Sequence, residues 1–249
     1  MLNLCVCKTN LETMTIKKYI PNAITLLNLF CGCIALVFAV NLDFEMAFYF
    51  VCLGIFLDFF DGFFARLFKV SGPLGVQLDS LADMVTSGLV PGFVMFYLLS
   101  NNQEDTLFYT VLPYFGFVIT LGSCFRLAKF NIDTRQTESF IGLPTPANAL
   151  FILSLPLVIA EDSFPMITDL LGNQGVLIGI SLLSAFVLNA EIPLFSLKIK
   201  KINFADNVLQ IIFLLLSVFL LLFFQFLGIP LVIIFYVLLS VVNNKFLKK

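Results

Sequence analysis

The chain has 249 residues, of which 60% are hydrophobic and only 12% charged, whereas an ordinary soluble domain keeps about a quarter of its residues charged. A chain of this composition cannot cover a globule with polar side chains, so lipid must be the solvent for most of it. It contains no histidine, which excludes Ser-His and Cys-His catalysis and the usual zinc sites. Catalysis must therefore use carboxylates, lysine, tyrosine or cysteine, and the six cysteines are expected to be inert thiols.

Eight continuous apolar runs are candidates for membrane-spanning helices, each of which needs about 20 mostly apolar residues. Continuous rather than alternating runs predict helices and not a barrel. The stretch 11–20 is predicted to form a short interfacial helix with Lys17 and Lys18 on its polar side. Gly228 and Pro230 predict a tight turn before the last span. The predicted spans are 22–40, 45–68, 75–99, 107–128, 145–160, 174–190, 207–227 and 229–243.

The charges segregate cleanly in this eight-helix arrangement. Every basic residue falls in loops on one side: Lys8, Lys17, Lys18, Arg66, Lys69, Arg126, Lys129, Arg135, Lys198, Lys200, Lys201, Lys245, Lys248 and Lys249. The opposite loops carry only acidic charges: Asp43, Glu45, Glu104, Asp105, Glu161, Asp162 and Asp169. The positive-inside rule makes the basic side cytoplasmic, with both termini there. We therefore predict an all-α, multi-pass protein of the cell (inner or plasma) membrane, with an N-terminal segment at 1–20 and a membrane domain at 21–249.

Four aspartates interrupt the apolar helices at the second and third spans. A carboxylate inside a spanning helix costs several kcal/mol unless it is paired, hydrated or bound to metal. Asp58 and Asp61 are three residues apart, and Asp79 and Asp83 are four apart, so each pair shares one helical face. The loop 67–74 turns the chain, which should bring both pairs together about two turns below the cytoplasmic end. An all-oxygen ligand set of this kind suits Mg²⁺, Mn²⁺ or Ca²⁺.

Small residues share the faces of these aspartates. Gly62 follows Asp58 by one turn, Ala65 follows Asp61 by one turn, and Gly75 precedes Asp79 by one turn. They should clear a trough in which a ligand can approach the backbone. Arg66 marks the water interface, where it can bind phosphate through two hydrogen bonds.

The combined pattern resembles the signature of the CDP-alcohol phosphatidyltransferase family at every fixed position. It reads Asp58-x2-Asp61-Gly62-x2-Ala65-Arg66-x8-Gly75-x3-Asp79-x3-Asp83. The resemblance implies that the first three aspartates, with the fourth contributing, hold two divalent metal ions, and that Asp83 is also the catalytic base. It also implies that the CDP group is held by Gly62, Ala65, Arg66 and Gly75.

Further segments are similar to the phosphatidylserine synthase branch of this family, and the similarity covers roughly residues 15 to 245. The first span opens on Pro21-Asn22, and the resemblance implies that Thr25 and Asn28 lie near the nucleotide. Residues before about Thr15 match nothing in the family, so Met14 could be the true start. The segments that point to this branch are Arg126-Leu-Ala-Lys129-Phe-Asn131 and Phe140-x-Gly142-Leu143-Pro144-x-Pro146.

The resemblance implies transfer of the phosphatidyl group from CDP-diacylglycerol to the hydroxyl of L-serine, giving phosphatidylserine and CMP. Family members are often homodimers, and no nucleic-acid partner is expected. Arg126 and Lys129 are predicted to bind the acceptor or a phosphate; the alternative is that they serve only topology. For the remaining loop lysines, contact with anionic headgroups or topology is expected instead: Lys198, Lys200 and Lys201. Gly142 and Pro144 are expected to shape their loop rather than touch a ligand.

Two other functions fit part of the pattern. The same chemistry could use another acceptor, such as glycerol 3-phosphate or inositol phosphate, because the nearby cations suit a phosphorylated alcohol as well as a carboxylate. A cation transporter would also place carboxylates inside the membrane, but it predicts acids at mid-membrane and related halves with broken helices. This sequence has acids near one face and no repeat. An intramembrane aspartyl protease needs a local motif that the chain lacks.

Overall fold

The computed structural model describes residues 2–70, 72–100, 110–133, 141–195 and 207–244, with side chains from Tyr19 onward. Within these ranges the chain is helical and contains no strand, apart from a single bridge between Ile141 and Pro193. The predicted all-α class is therefore confirmed. Several residues that the sequence singles out lie outside the described ranges: Arg135, Phe140, Lys198, Lys200, Lys201, Lys245, Lys248 and Lys249.

Nine α-helices and two shorter helical turns follow one another along the described ranges. The two shorter elements are the π-helix Met84–Leu89 and the 3-10 turn Leu112–Phe117. The helices are α1 (Leu2–Val40), α2 (Phe44–Phe68), α3 (Pro73–Asp83), α4 (Val90–Ser100), α5 (Val118–Ile132), α6 (Thr145–Glu161), α7 (Pro165–Gly172), α8 (Gln174–Asn189) and α9 (Val208–Val242).

Five helical stretches are long and apolar enough to cross a membrane, and a sixth is added if α7 and α8, bent by 80°, form one span. Helix α6 has the composition of a span but only 17 residues. A multi-pass membrane protein is thus supported, while eight spans with both termini cytoplasmic stay a prediction. The five stretches are Tyr19–Val40, Phe44–Phe68, Pro73–Ser100, Leu112–Ile132 and Val208–Val242.

Helix α9 folds back on itself. Gln225 leaves helical geometry (φ 47°, ψ −120°), and the ring centroids of Phe213 and Phe235 lie 6.2 Å apart. In a straight helix these two residues, 22 positions apart, would be separated by about 33 Å. The two arms therefore lie side by side, as the separate runs 207–227 and 229–243 predict. The turn occurs at Gln225 rather than at the predicted Gly228, which instead packs against the first arm: a Cβ there would lie 2.5 Å from the carbonyl oxygen of Leu220.

The predicted short helix at 11–20 is not a separate element. Helix α1 runs without interruption from Leu2 to Val40, with Pro21 inside it. The proline has no N–H to donate to the backbone carbonyl of Lys17, a loss that membrane helices tolerate. The hydroxyl of Thr25 lies 3.0 Å from the carbonyl oxygen of Pro21. The side chains of Lys17 and Lys18 precede Tyr19, the first residue of α1 whose side chain the structure describes.

Small side chains let α1, α2 and α4 approach closely. Ala35, Ala39, Ala47 and Val51 are fully buried in one apolar cluster, together with residues of α4 and α6. Small residues at helix crossings are the usual means by which membrane helices pack. This dry cluster fixes α2 against α1, and it thereby fixes where the polar end of α2 meets α3.

The loop before α6 follows its predicted shape. Gly142 adopts a left-handed conformation (φ 75°), and its N–H donates to the carbonyl of Ile192 at 2.9 Å. A Cβ at this position would lie 3.1 Å from the carbonyl oxygen of Ala190. Gly142 is therefore required by the backbone path, as the sequence indicates.

Candidate active site

A tight turn between α2 and α3 positions the acidic and small residues of the motif. Lys69 ends α2 in the left-handed region (φ 55°), and the N–H of Val70 donates to the carbonyl of Ala65 at 3.0 Å. Pro73 then starts α3 at its first turn, where a missing N–H costs nothing. The two helices consequently leave the turn in opposite directions and carry their aspartates on facing sides.

Three of the four predicted metal-binding aspartates converge. Asp58, Asp61 and Asp79 each offer a carboxylate oxygen, and these three oxygens lie within 4.8 Å of one another. Oδ1 of Asp58 is buried and has no hydrogen-bond partner. Three carboxylates in a poorly solvated site repel one another strongly unless positive charge is supplied. The hard oxygen donors and the unpartnered Oδ1 both fit a divalent cation.

Asp83 lies outside this group of three. It is buried one turn beyond Asp79, and its Oδ1 accepts a hydrogen bond of 3.2 Å from Nδ2 of Asn28 on α1. The π-helix begins at the next residue, Met84. Such irregular turns are frequent at functional sites, where they change the direction in which side chains project.

A cavity of about 190 Å³ opens between α1, α2 and α3 beside the aspartates. A volume of this size has room for ions and a phosphate group, since one water molecule occupies about 30 Å³. Its wall contains every residue predicted to hold CDP except Asn28, which is fully buried against Asp83. The predicted residues that line it are Asp61, Asp79, Gly62, Ala65, Arg66, Gly75 and Thr25.

Asn22 also lines this cavity, although the sequence did not single it out. Its Oδ1 lies 3.4 Å from the position that a Cβ on Gly75 would occupy. The available signal was its place beside Pro21 in the segment that resembles the family's first helix. An amide at this point can hydrogen-bond a polar ligand in the cavity.

The two glycines on the cavity wall are not required by protein packing. A Cβ on Gly62 would meet nothing closer than the guanidinium of Arg66, at 3.7 Å, and one on Gly75 would meet only Asn22. Both distances allow an ordinary side chain. The space in front of these glycines is therefore part of the cavity itself.

Arg126 is a buried cation without a close ion pair. Only 8% of the residue is exposed, its Nε has no hydrogen-bond partner, and no carboxylate of a described residue lies within 4.0 Å. Its guanidinium is close enough to Asp83 for an electrostatic interaction. A buried guanidinium left in this state is costly, which fits a site that binds an anionic ligand.

Lys129, the other predicted acceptor-binding residue, has a different environment. Its Nζ lies 3.5 Å from Oε1 of Glu191, and both side chains are substantially exposed to the surroundings of the bundle. The structure therefore brings Lys129 to Glu191 rather than to the aspartates. The ion pair links α5 to Glu191 in the loop that follows α8.

Comparison with protein families agrees with this geometry. The model of the CDP-alcohol phosphatidyltransferase family matches residues 18–187, which include the aspartates, the cavity wall and Arg126. The chain belongs to the CDP-alcohol phosphatidyltransferase family.

Curated relatives share a more specific name. The chain is 36% identical over 142 residues to a CDP-diacylglycerol–serine O-phosphatidyltransferase of Bacillus subtilis, a match that covers 55% of this chain and 75% of that protein. Enzymes of the same name from Helicobacter pylori (strain J99) and Methanocaldococcus jannaschii are each 32% identical, over 135 and 142 residues. These matches cover 53% and 57% of this chain, and 55% and 60% of the two relatives.

Proposed function

We propose that this protein transfers the phosphatidyl group of CDP-diacylglycerol to the hydroxyl of L-serine, giving phosphatidylserine and CMP. The observation that carries the proposal is the group of three carboxylate oxygens within 4.8 Å of one another, beside a cavity lined by the family signature. Membership of the family supports phosphatidyl transfer, and the shared name of the curated relatives supports serine as the acceptor.

Asp58, Asp61 and Asp79, with Asp83 contributing, would hold two divalent cations, Mg²⁺ or Mn²⁺ and less readily Ca²⁺. Once bound, such cations supply positive charge that offsets the carboxylates and stabilises the charge that develops on the departing CMP. The cavity wall formed by Gly62, Ala65, Arg66 and Gly75 would receive the CDP group. Arg66 contributes a guanidinium that can hold a phosphate oxygen.

The proton transfer in the reaction is assigned to a residue of the chain. The carboxylate of Asp83 accepts the proton of the serine hydroxyl, and the serine oxygen forms a bond to the phosphorus that carries diacylglycerol. The bond from that phosphorus to the oxygen of CMP breaks, and CMP leaves with the electron pair. Arg126, buried near Asp83, would orient serine through its carboxylate. Lys129 stays a predicted contributor to the same acceptor region.

The reaction is proposed to take place at the cytoplasmic face of the cell membrane. Arg66 and Lys69 lie at one end of α2, whereas Asp43 and Glu45 lie at its other end. The positive-inside rule favours the basic end as cytoplasmic. In that orientation the acyl chains of the substrate lie in the bilayer, while serine and CMP exchange with water. A homodimer, expected from the family, stays a prediction.

A panel of labelled acceptors tests the proposal directly. Purified protein is incubated with CDP-diacylglycerol, Mn²⁺ or Mg²⁺, and either L-serine, glycerol 3-phosphate or inositol phosphate. We expect a labelled lipid product only with L-serine. A lipid product with one of the phosphorylated acceptors would replace serine but keep the chemistry, and no product with any of them would reject phosphatidyl transfer to these alcohols.

A further inference from the structure

We infer that Thr25 and Asn28 of α1 are positioning residues that orient the carboxylates of Asp61 and Asp83, rather than residues that hold the nucleotide. The inference rests on the proposed function, because it assigns a task within the same site. It concerns the affinity of the site for cations and the geometry of the proton acceptor.

One face of α1 reaches both pairs of aspartates. Thr25 and Asn28 are three residues apart and therefore project from the same side of the helix. The hydroxyl of Thr25 donates a hydrogen bond to Oδ2 of Asp61 on α2, and Nδ2 of Asn28 donates to Oδ1 of Asp83 on α3. Both α1 side chains are buried, at 3% and 0% exposure. A single helix thus connects the two halves of the acidic site.

The side chain of Asn28 is confined where it meets Asp83. Its Oδ1 faces α2, where a Cβ on Gly54 would lie only 2.8 Å away. Its backbone carbonyl accepts a hydrogen bond of 3.2 Å from the hydroxyl of Thr86 in the π-helix. Rotating the amide by 180° would place Oδ1 against the carboxylate of Asp83, which is another acceptor, so the observed orientation is the favourable one. Oδ1 has no hydrogen-bond partner, but Asn28 is fully buried and is not part of the cavity wall, so its amide offers no surface to a nucleotide.

Thr25 differs, because it lies on the cavity wall and could touch a ligand. Its single hydroxyl proton has two acceptors within reach, the carboxylate of Asp61 and the carbonyl of Pro21 at 3.0 Å. A bond to a charged acceptor is the stronger of the two. Both options occupy the proton inside the protein, so Thr25 has no proton left to donate to a nucleotide.

Groups that hydrogen-bond to metal-binding carboxylates hold them in the geometry that a cation needs, and their removal typically lowers metal affinity or activity about 10- to 100-fold. Thr25 hydrogen-bonds in this way to Asp61, one of the three grouped aspartates. Asn28 hydrogen-bonds in the same way to the proposed base Asp83.

The first test measures Mn²⁺ binding in the absence of substrate. The full-length protein in detergent is titrated with Mn²⁺, and the free ion is quantified by electron paramagnetic resonance. Thr25→Val keeps the shape of the side chain and removes the hydroxyl, so we expect Mn²⁺ affinity to fall about 10- to 100-fold. Thr25→Ser keeps the hydroxyl and should restore most of the affinity. Thr120→Val is the matched control, because its hydroxyl donates to the carbonyl of Gly88, away from the aspartates; it should bind Mn²⁺ like the wild type.

The second test separates kcat from KM. Asn28→Leu and the smaller Asn28→Ala both lose the donor to Asp83, and using two variants guards against a folding defect in one of them. For each Asn28 variant that folds correctly, we expect kcat to fall about 10- to 100-fold, with the KM for CDP-diacylglycerol nearly unchanged.

The opposite results would overturn the inference. A wild-type Mn²⁺ affinity in Thr25→Val would mean that Thr25 does not orient a cation-binding carboxylate, and a raised KM for CDP-diacylglycerol with unchanged kcat in the Asn28 variants would make Asn28 a nucleotide ligand. Failure of the proposed function has a separate signature. The wild-type protein would then bind no Mn²⁺, or would release no CMP with any acceptor.

Discussion

Helix α2 carries two glycines that serve opposite purposes. At Gly54, where α2 crosses α1 and the π-helix, an added Cβ would lie 2.8 Å from Oδ1 of Asn28 and 2.8 Å from Cγ2 of Thr86. At Gly62, about two turns further on, an added Cβ would meet nothing closer than Arg66 at 3.7 Å. The space beside Gly54 is filled by other protein atoms, whereas the space beside Gly62 belongs to the cavity and is available to a ligand.

The difference separates packing from function in a molecule where small residues are common. The region around Gly54 is filled by Asn28 and Thr86, and it lies one helical turn from Val51 of the apolar cluster. The region around Gly62 opens into the cavity beside Asp61. We therefore expect substitutions in the first region to lower stability, and substitutions in the second to change substrate binding without a loss of stability; the predictions below probe that division.

The largest effect is expected from Asp58→Asn. The change keeps the shape of the side chain but removes a negative charge from the group of three oxygens. Activity should fall by more than the roughly 100-fold seen for losses around a metal site, because a proposed ligand itself is changed. Stability without cations should be kept or raised, because one source of repulsion disappears. CMP release and thermal unfolding of the same preparation measure both; near-wild-type CMP release would remove Asp58 from the site.

Gly54→Ala should lower stability, and it should also lower kcat, because the added methyl group presses on the Asn28 amide that donates to Asp83. Forcing a methyl group against Asn28 and Thr86 overpacks the crossing, which typically costs about 1–3 kcal/mol. Thermal unfolding in detergent should show the loss. Gly179→Ala is the control, because a Cβ there meets nothing within 4 Å, and it should unfold like the wild type. Equal unfolding temperatures for the two variants would mean that the crossing at Gly54 is not tight.

Gly62→Ala should raise the KM for CDP-diacylglycerol without lowering stability. The protein has room for the methyl group, so unfolding should resemble that of the wild type. The methyl group would project into the cavity, and KM for CDP-diacylglycerol should rise about tenfold, equivalent to about 1.4 kcal/mol of binding. Kinetics at varied CDP-diacylglycerol concentration would measure this. An unchanged KM would mean that the CDP group does not occupy the space beside Gly62.

The smallest effect is expected from Lys129→Ala. Its ion pair with Glu191 is substantially exposed, and such pairs contribute at most about 1 kcal/mol. Any change in KM for serine should be smaller than that caused by Arg126→Ala, because Arg126 is buried near Asp83. Serine titrations of both variants give the comparison. A larger KM change for Lys129→Ala would reverse the ranking of the two cations.

Regular spacing is what made much of the acidic site predictable. The intervals between Asp58, Asp61 and Asp79, together with the turn at Gly72 and Pro73, correctly indicated that facing helices bring carboxylates together. Helical periodicity fixes which side chains share a face, and turn residues fix where a helix must end. Both pieces of information are local in the sequence.

Contacts between distant segments could not be read in the same way. The resemblance implied that Asn28 lies near the nucleotide, but it gave no sign that the amide of Asn28 donates to Asp83, 55 residues away. The partner of Lys129, Glu191, is 62 residues away. Ser87 and Gly88 favour an irregular backbone but do not specify a π-helix. Gln225 gives no local signal for a turn. These features arise from packing between helices, which one sequence does not specify residue by residue.

The most direct test of the central claim is CMP release from CDP-diacylglycerol by the purified protein in the presence of L-serine, with divalent cation and then with excess chelator. We predict serine-dependent release that requires Mg²⁺ or Mn²⁺, stops with the chelator and resumes when the cation is restored. Release that continues undiminished in the chelator would contradict a function built on cations held by Asp58, Asp61 and Asp79.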